Sequence, residues 1–486
     1  MGRLLYFTLS LILSISNFRR TSAAVDDNTL KIGFTAVPDS SISNFQSLLI
    51  DSTGNYSLGF LRLDRTQLNL ALIHLPSSLT IWTAIKTTNL KWSKTTKLFF
   101  NGSLVIQDTT SGVSWSTDTN GDRVWITNNS NLIVDKREEN SILWQSFDFP
   151  SDTLMENQIF TSTMKLVSSN GLYSMKLGSD YFGLYSAAGG GAGQIYFKHG
   201  ALQAKADIIE GKPIYIVISP DGYMGMYQNG SNTPVDVEPF SSFQQNGSGL
   251  HRIRLEQDGN LKGYYWIGSS WVLDYKSISD PCELPSSCGS YSICEEGKGC
   301  SCIDNRTEYR SSSGGCTSPG NDLHGDFCGT GADAGILRRE GVELPRKELM
   351  AAEKMNSQSQ CENACERNCS CWGAVYSNSS GLCYRIEYPI QTLLAISDKT
   401  KTGYFKIREG AREMGVVPMG LKVGIGLLSG VIVLLAIGIG FGFYGIWKNK
   451  REGVIGYGEE HGAPSVGGPY KNLAAASFRS IELSER

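Results

Sequence analysis

The chain of 486 residues carries 44 lysine and arginine residues against 47 aspartate and glutamate residues, which gives a formal net charge of −3. A domain usually has roughly 100–200 residues, so this length predicts several modules and not a single core. The near balance of charge excludes the basic footprint that is typical of nucleic-acid-binding proteins.

Residues 1–23 have the pattern of a signal peptide. Arg3 supplies the positive start, residues 4–15 are apolar, and the small residues 21–23 form a cleavage site. A membrane anchor is the alternative, but the apolar run is shorter than the roughly 20 residues that span a bilayer. We therefore expect a protein of the secretory pathway.

Residues 28–280 contain no cysteine and predict a mainly β structure. Runs rich in Val, Ile, Leu, Tyr, Phe and Trp, such as 57–63 and 213–219, alternate with Asn-Gly and Asp-Gly turns. Short strands at regular spacing between turn signals are typical of all-β sandwiches and barrels. The length predicts two such units, 28–156 and 157–280, with the join within 157–165.

A small element recurs in these units: an Asx-containing turn followed by alternating apolar residues. Copies begin at Asn101, Asn129 and Asp258. Asn, Asp and Gly tolerate the positive φ angles of tight turns, so a hairpin turn that leads into a strand explains each copy by itself.

The run 143–154, Leu-Trp-Gln-Ser-Phe-Asp-Phe-Pro-Ser-Asp-Thr-Leu, resembles the signature of plant S-domain (G-type lectin) receptor proteins. The stretch before it is similar to the bulb-type lectin domain of that family, with matching strands at 58–60 and 82–84, although Ile85 replaces the usual Asn. The resemblance implies a β-prism of three short sheets over 28–156 and a second, diverged lectin-like or S-locus-type unit over 157–280.

The resemblance also implies a mannose-binding pattern, Gln-x-Asp-x-Asn-x-Val-x-Tyr, in which carboxylates and amides bond sugar hydroxyls. The two copies in the first unit lose most of these residues. The copy in the second unit keeps Asp, Asn and Tyr, with Lys262 where an apolar residue is expected. Its candidate sugar-binding residues are Glu256, Asp258, Asn260 and Tyr264. The alternative is a turn that is retained only for the fold.

All twelve cysteines lie between 282 and 383, and the first six predict a small module over 281–317. Clustered cysteines after a signal peptide indicate disulfides, and an oxidising compartment disfavours a zinc site with thiolate ligands. The spacing leaves several pairings open. The cysteines are Cys282, Cys288, Cys294, Cys300, Cys302 and Cys316. The segment looks like an EGF-like module, which implies the pairs 282–294, 288–300 and 302–316.

The second six cysteines predict a module over 328–409. The run 361–371 resembles the core of PAN/apple domains, as does the strand 341–345, and this implies a helix held by disulfides against a small sheet. The cysteines are Cys328, Cys361, Cys365, Cys369, Cys371 and Cys383. We predict the pairs 361–383 and 365–371, which leaves 328–369 by elimination.

The apolar run 423–447 is long enough to span a bilayer and contains no charged residue. Eight Asn-x-Ser/Thr sequons precede it, at Asn55, Asn101, Asn128, Asn229, Asn246, Asn305, Asn368 and Asn378. Sequons and disulfides indicate that this side is extracellular, which predicts a single-pass type I glycoprotein of the plasma membrane. The tail 448–486 is expected to be disordered.

Motifs for catalysis are not found: the five histidines form no His-Glu-x-x-His motif, and a Gly-x-Ser-x-Gly elbow is missing. We expect neither an enzyme nor a cofactor or metal. The sequence predicts a receptor-like protein or co-receptor that binds a protein, peptide or glycan and signals through a partner receptor kinase or as a homodimer. A mannose-type membrane lectin is the alternative, and a secreted-pathway enzyme ranks last.

Overall fold

The computed structural model describes residues 25–26, 28–85, 90–139, 141–187, 193–201, 212–228, 232–243, 249–304, 316, 334–388, 390–408, 438, 439, 442 and 444. The chain divides into two compact units, Met1–Gly410 and Ala411–Arg486. Within the described ranges, no helix has the length and apolar character needed to cross a membrane. The predicted span 423–447, except for four helical positions, lies outside these ranges, as do the predicted signal peptide 1–23 and tail 448–486.

The first β unit consists of three antiparallel sheets around one core, and the mainly β prediction is confirmed. The first sheet contains β1 (Val25–Asp26), β2 (Thr29–Lys31), β12 (Arg123–Ile126), β13 (Leu132–Lys136) and β14 (Ser141–Gln145). The second contains β3 (Thr35–Ala36), β9 (Thr96–Phe100), β10 (Leu104–Asp108) and β11 (Ser114–Ser116). The third contains β4 (Phe45–Ile50), β5 (Tyr56–Arg62), β6 (Gln67–His74), β7 (Leu79–Thr83) and, beside β6, β8 (Leu90–Lys91). In β10, Leu104 and Ile106 are fully buried while Val105 and Gln107 are half-buried, which is the period-two pattern of a strand with one core face.

The second β unit also contains three antiparallel sheets around a core of its own. One sheet contains β15 (Thr153–Met155), β23 (His251–Leu255), β24 (Leu261–Trp266) and β25 (Trp271–Lys276). Another contains β16 (Leu166–Val167), β17 (Tyr173–Leu177), β18 (Tyr181–Ser186) and β19 (Gln194–Gly200). The last contains β20 (Ile214–Ser219), β21 (Tyr223–Gln228) and β22 (Asp236–Pro239).

Strand β15 connects the two β units. Thr153 pairs with Arg254 of β23, so the strand belongs to a sheet of the second unit. Leu154 is fully buried in the second core, whereas Met155 is buried in the first. Successive side chains of a strand point to opposite faces, and one short strand therefore fills two cores. The chain passes from one unit to the other at this strand, earlier than the join expected within 157–165.

The signature run 143–154 fixes the path of the chain into β15. Trp144 packs edge to face against Trp82 and Trp115, with ring centroids 5.8 and 5.7 Å away. The indole Nε1 of Trp82 donates a hydrogen bond to the backbone oxygen of Phe149 at 2.9 Å. Aromatic pairs at such distances each contribute about 0.5–1.5 kcal/mol beyond the area that they bury. The motif is therefore a packing element of the fold.

An ion pair crosses the same junction. The carboxylate oxygen Oδ2 of Asp152 accepts hydrogen bonds from Nε and Nη2 of Arg254 at 3.0 and 2.8 Å. Because Asp152 directly precedes β15 and Arg254 lies on β23, this pair holds the shared strand against its sheet.

The two cysteine-rich segments form one continuous structure. The first contributes β26 (Ser292–Glu295) and β27 (Gly299–Cys302). The second contributes β28 (Ala334–Glu340), β29 (Val342–Glu343), β30 (Ala352–Lys354), α1 (Gln358–Glu366), β31 (Gly373–Ser377), β32 (Leu382–Ile386), β33 (Thr392–Ala395) and β34 (Lys401–Arg408). Strand β26 pairs in parallel with β33, and Ile293 shares one core with Leu393 and Phe405.

The disulfides of the described residues are Cys282–Cys294, Cys288–Cys300, Cys302–Cys316, Cys361–Cys383 and Cys365–Cys371. These are the pairs that the EGF-like resemblance implies, together with the two predicted for the second group. Cys369 is also disulfide-bonded, but Cys328, its predicted partner, lies outside the described residues. Every pair closes a loop in a segment with few apolar residues. Closing a loop lowers the conformational entropy of the unfolded chain and so stabilises the folded one.

Helix α1 is fixed at both ends. The hydroxyl of Ser357 accepts a hydrogen bond from the backbone N–H of Gln360 and caps the N-terminus. At the other end, Nζ of Lys406 donates to the backbone oxygens of Cys365 and Asn368, both at 3.0 Å. Burial lowers the pKa of Lys406, while the bonds to these carbonyls satisfy its ammonium protons.

His74 lies where the two β units meet. Its ring contacts Tyr56 of its own unit and Trp266 and Trp271 of the second, with centroid distances of 5.5, 4.9 and 5.6 Å. Burial lowers the pKa of His74, and the positive charge of Arg252 lowers it further. The folded chain therefore favours the neutral imidazole.

His74→Gln should make the stability of the protein less dependent on pH. Because the pKa of His74 in the folded chain is below its ordinary value of 6.5, the unfolded chain takes up this proton first as the pH falls. The free energy of unfolding of the wild type should therefore decrease between about pH 7 and about pH 5, and the variant should lack this part of the decrease.

Urea unfolding at a series of pH values measures both slopes. The other histidines are common to the two proteins, so the difference in slope reports on His74 alone. Parallel stability profiles would show that the fold does not suppress this protonation.

Candidate carbohydrate-binding sites

The third copy of the repeated turn connects β23 to β24. Gly259 has a φ angle of +84°, and the backbone N–H of Asn260 donates to Oδ1 of Asp258 at 2.9 Å. The backbone N–H of Glu256 donates to the oxygen of Asn260 at 2.9 Å and closes the turn. A Cβ atom at Gly259 would lie 3.0 Å from both Pro285 and the Tyr196 hydroxyl, so glycine also suits the packing.

The side chain of Asn260 is used by the fold. It is 3 % exposed, and its Nδ2 donates to the backbone oxygen of Ile278 at 2.7 Å. Its Oδ1 accepts from the backbone N–H of Ile278 at 3.1 Å. The amide thereby fixes the segment that directly follows β25, the next strand of the sheet.

Asn131 has the same role in the first β unit. Its Nδ2 donates to Oε1 of Gln145 at 2.8 Å, and its Oδ1 accepts from the backbone N–H of Phe147 at 3.2 Å. Gln145 is the last residue of β14, the strand next to β13, and Phe147 lies in the segment that directly follows. The asparagine of the repeated turn therefore fixes the end of the neighbouring strand in both units. This agrees with the alternative stated from the sequence, a turn that is retained for the fold.

The other predicted residues of the third copy also have side-chain partners within this copy. Oδ2 of Asp258 forms an ion pair with Nζ of Lys262 at 2.7 Å, and the hydroxyl of Tyr264 donates to Oε1 of Glu256 at 2.5 Å. Burial and the neighbouring carboxylate raise the pKa of Tyr264. Asp258 has a 40 % exposed side chain, so a sugar would have to compete with Lys262 for this carboxylate.

The guanidinium of Arg252 lies between two rings behind this turn. Its Cζ is 4.2 Å from the ring centroid of Tyr264 and 4.6 Å from that of Trp271. Burial and the charge of Arg254 lower the pKa of Arg252 to about 10. The group links the third copy to the interface between the two β units.

The two copies in the first unit offer fewer polar groups. Asn101 is exposed, and its side chain accepts the backbone N–H of Ser103 at 3.2 Å. In the second copy the carboxylate of Asp135 is held by Nε and Nη2 of Arg123 at 2.8 and 2.9 Å and by Nε1 of Trp125 at 2.9 Å. The carboxylate of Asp135 therefore holds side chains of the neighbouring strand β12 in place.

A second candidate was not recognised in the sequence: two strands carry the pattern Tyr-x-Gly-x-Tyr. They are 181–185 in β18 and 223–227 in β21. Alternation places both tyrosines and the glycine of each strand on one face, and a Cβ at Gly183 or Gly225 would meet a tyrosine ring at 2.9 or 2.6 Å. The ring of Tyr185 therefore lies beside Gly183, and the ring of Tyr227 lies beside Gly225. The i, i+2, i+4 spacing is visible in the sequence and could have indicated this.

The two tyrosine faces differ in what covers them. On β18, Nζ of Lys198 lies 4.3 Å from the ring centroid of Tyr181, and Nζ of Lys176 lies 5.2 Å from that of Tyr185. Burial raises the pKa of Tyr185 to about 12, and the hydroxyl of Tyr181 contributes.

On β21 the neighbours of the tyrosines are aromatic. Tyr227 stacks with Tyr215 of β20 at a centroid distance of 5.5 Å, and Tyr223 contacts Phe243 edge to face at 5.8 Å. All four side chains are partly exposed. We call these four residues the β21 aromatic face.

The structure locates five of the eight predicted glycosylation sites. Asn55, Asn101, Asn128 and Asn378 are exposed, and Asn368 is half-buried at the C-terminus of α1. Asn229, Asn246 and Asn305 lie outside the described residues. Glycosylation of all eight remains a prediction.

In a different part of the second unit, the side chains of His199, Asp236 and Glu238 come together in a group that could hold a metal ion. The expectation that the protein binds no metal rested on short sequence motifs. His199 is too far from Asp236 and Glu238 in the chain for the three residues to form such a motif.

Two family models match the chain. One is described as D-mannose binding lectin and matches residues 66–176. The other is described as the S-locus glycoprotein domain and matches residues 222–306, which contain the third turn and three of the four residues of the β21 aromatic face.

Similar proteins are found in Arabidopsis thaliana. A PAN domain-containing protein is 47% identical over 485 residues, covering 100% of this chain and 98% of that protein. The G-type lectin S-receptor-like serine/threonine-protein kinase SD2-5 is 26% identical over 398 residues, covering 73% of this chain and 44% of the kinase. The related kinase SD2-2 is 27% identical, covering 65% of this chain and 41% of the kinase. The chain thus spans less than half the length of these kinases.

Asn260→Ala should destabilise the protein by about 1–3 kcal/mol, because the buried N–H and C=O of Ile278 would both lose their partners. Lys262→Ala is the matched control on the same turn, and its loss should cost at most about 1 kcal/mol since the ion pair is partly exposed. Urea unfolding of the disulfide-intact protein measures both values. An Asn260→Ala protein as stable as the control would show that the two hydrogen bonds to Ile278 do not stabilise the fold.

Proposed function

Since this chain belongs to the plant S-domain (G-type lectin) receptor-like family, we propose that it is a cell-surface receptor protein that binds an extracellular glycan. It acts by binding and not by catalysis, and a partner carries its signal into the cell. The relatives that are kinases and the apolar run 423–447 support a role at the plasma membrane, with a receptor kinase or a second copy as the partner.

The β21 aromatic face is the observation that supports glycan binding best. Sugar rings present C–H groups on their faces, and aromatic rings with one open side are suitable partners for them. Tyr223 and Tyr227 have hydroxyls 3.5 Å apart at the edge of this face. They can donate to or accept from sugar hydroxyls.

A neutral hexose is the ligand that this chemistry favours. The β21 aromatic face offers rings and hydroxyls, whereas the β18 face carries two ammonium groups over its tyrosines. The D-mannose binding lectin model matches residues 66–176, which do not contain this face, and it supports a hexose as the type of sugar for the chain. A mannose site at Glu256, Asp258 and Tyr264 is the second candidate, favoured by the exposure of Asp258.

Tyr227→Ala should weaken binding to a hexose glycan at least tenfold, because it removes the ring that lies beside Gly225 and stacks on Tyr215. Tyr185→Ala is the matched control, as it removes the equivalent ring of the same pattern on β18. A glycan array with mannose-type and cell-wall glycans identifies the ligand, and titration of that glycan into each variant gives the dissociation constant.

Tyr227→Phe tests whether the ring or the hydroxyl matters, and it should retain most of the binding. Circular dichroism and thermal unfolding show that each variant is folded. Loss of binding in Asp258→Ala but not in Tyr227→Ala would move the site to the third turn. A folded wild type that binds none of the glycans would contradict glycan binding altogether.

A further inference from the structure

His199, Asp236 and Glu238 converge where two sheets of the second β unit meet. His199 lies on β19 and the two acids lie on β22, and both strands are at the edges of their sheets. Nε2 of His199 is 2.8 Å from Oδ2 of Asp236 and 3.1 Å from Oε1 of Glu238. These atoms all lie within 4.8 Å of one another.

The arrangement brings two carboxylates to one imidazole nitrogen. That nitrogen carries at most one proton, so the imidazole can donate to only one of these two carboxylates at a time. The side chain of Asp236 is 1% exposed, and Glu238 and His199 are 24% and 23% exposed. A divalent cation in place of the proton would interact with all three ligand atoms at once.

The ligand types indicate which cation fits. One imidazole nitrogen and two carboxylate oxygens match the ligands of zinc, which binds nitrogen and oxygen at roughly 2.0–2.2 Å. Tetrahedral bonds of that length place neighbouring ligand atoms roughly 3.3 Å apart, close to the two distances observed. Calcium prefers a larger set of oxygen ligands, so the imidazole argues against it.

Neighbouring groups orient these ligands. The hydroxyl of Tyr275 donates to Oε2 of Glu238 at 3.2 Å, the oxygen that does not face His199. The ring of Phe182 stacks on that of His199 with centroids 5.4 Å apart. Such contacts hold metal ligands in their binding orientation.

We propose that His199, Asp236 and Glu238 form a zinc-binding site that joins the edge of one sheet to the edge of the next. The bound ion pins β19 to β22 and stabilises the second β unit, and a fourth coordination position stays open to water. The site shares no residue with the β21 aromatic face, although β22 pairs with β21, where Asp236 and Glu238 lie opposite Met226 and Met224 and not opposite the tyrosines. Glycan binding and zinc binding can therefore be tested by separate substitutions.

The test uses the full chain with its disulfides intact, treated with EDTA and then titrated with ZnCl₂ by calorimetry. We expect one zinc ion per chain in the wild type and at least tenfold weaker binding in Glu238→Gln, whose partly exposed side chain can change without disturbing the core. Zinc should also raise the melting temperature of the wild type, but not of this variant.

His251→Gln is the matched control. His251 also lies near two acids, but its nitrogens are 3.5 Å from Glu156 and 4.0 Å from Asp274, so this variant should bind zinc like the wild type. A Co²⁺ absorption spectrum that changes in Glu238→Gln would add evidence for coordination by that carboxylate. The proposal is overturned if the wild type binds no zinc, or if Glu238→Gln binds it as tightly as the wild type.

Discussion

The structure from residue 28 to residue 280 depends on one short strand that serves two cores. β15 places Leu154 in the second core and Met155 in the first, so this strand contributes to the packing of both units. The tryptophan cluster and the Asp152–Arg254 ion pair fix that strand from both sides. The signature run before it is thus explained by packing, and its presence alone carries no information about a ligand.

The repeated turn, like the signature run, is explained by the contacts that it makes within the fold. In a sugar-binding copy the asparagine amide would face a hydroxyl, but here Asn131 and Asn260 both bond the segment that follows the next strand. A buried amide with both of its groups bonded stabilises a sheet corner, and removing it leaves backbone groups unsatisfied. In both copies the asparagine therefore serves the geometry of the sheet, whereas the partly exposed rings of the β21 aromatic face remain accessible to a ligand.

The two cysteine-rich segments are stabilised by disulfides and by contacts with each other. Each is too short to bury a large core, and disulfides compensate for that in small modules. They also share a sheet through β26 and β33 and a core through Ile293 and Leu393. The surface of each cysteine-rich segment is therefore held in place by both segments, and a ligand or partner that binds one of them depends on the packing of the other.

The sequence alone indicated the mainly β class through alternation along strands and the family through the run 143–154. The spacing of the cysteines left their pairing open, and the pairs of the first group followed from the resemblance to an EGF-like module. The sequence did not determine the shared strand, the inward use of Asn260, the sheet common to both cysteine-rich segments or the meeting of His199 with Asp236 and Glu238. All four depend on contacts between residues distant in the chain. Which residues meet across sheets is decided by how whole sheets pack, and no local pattern encodes that.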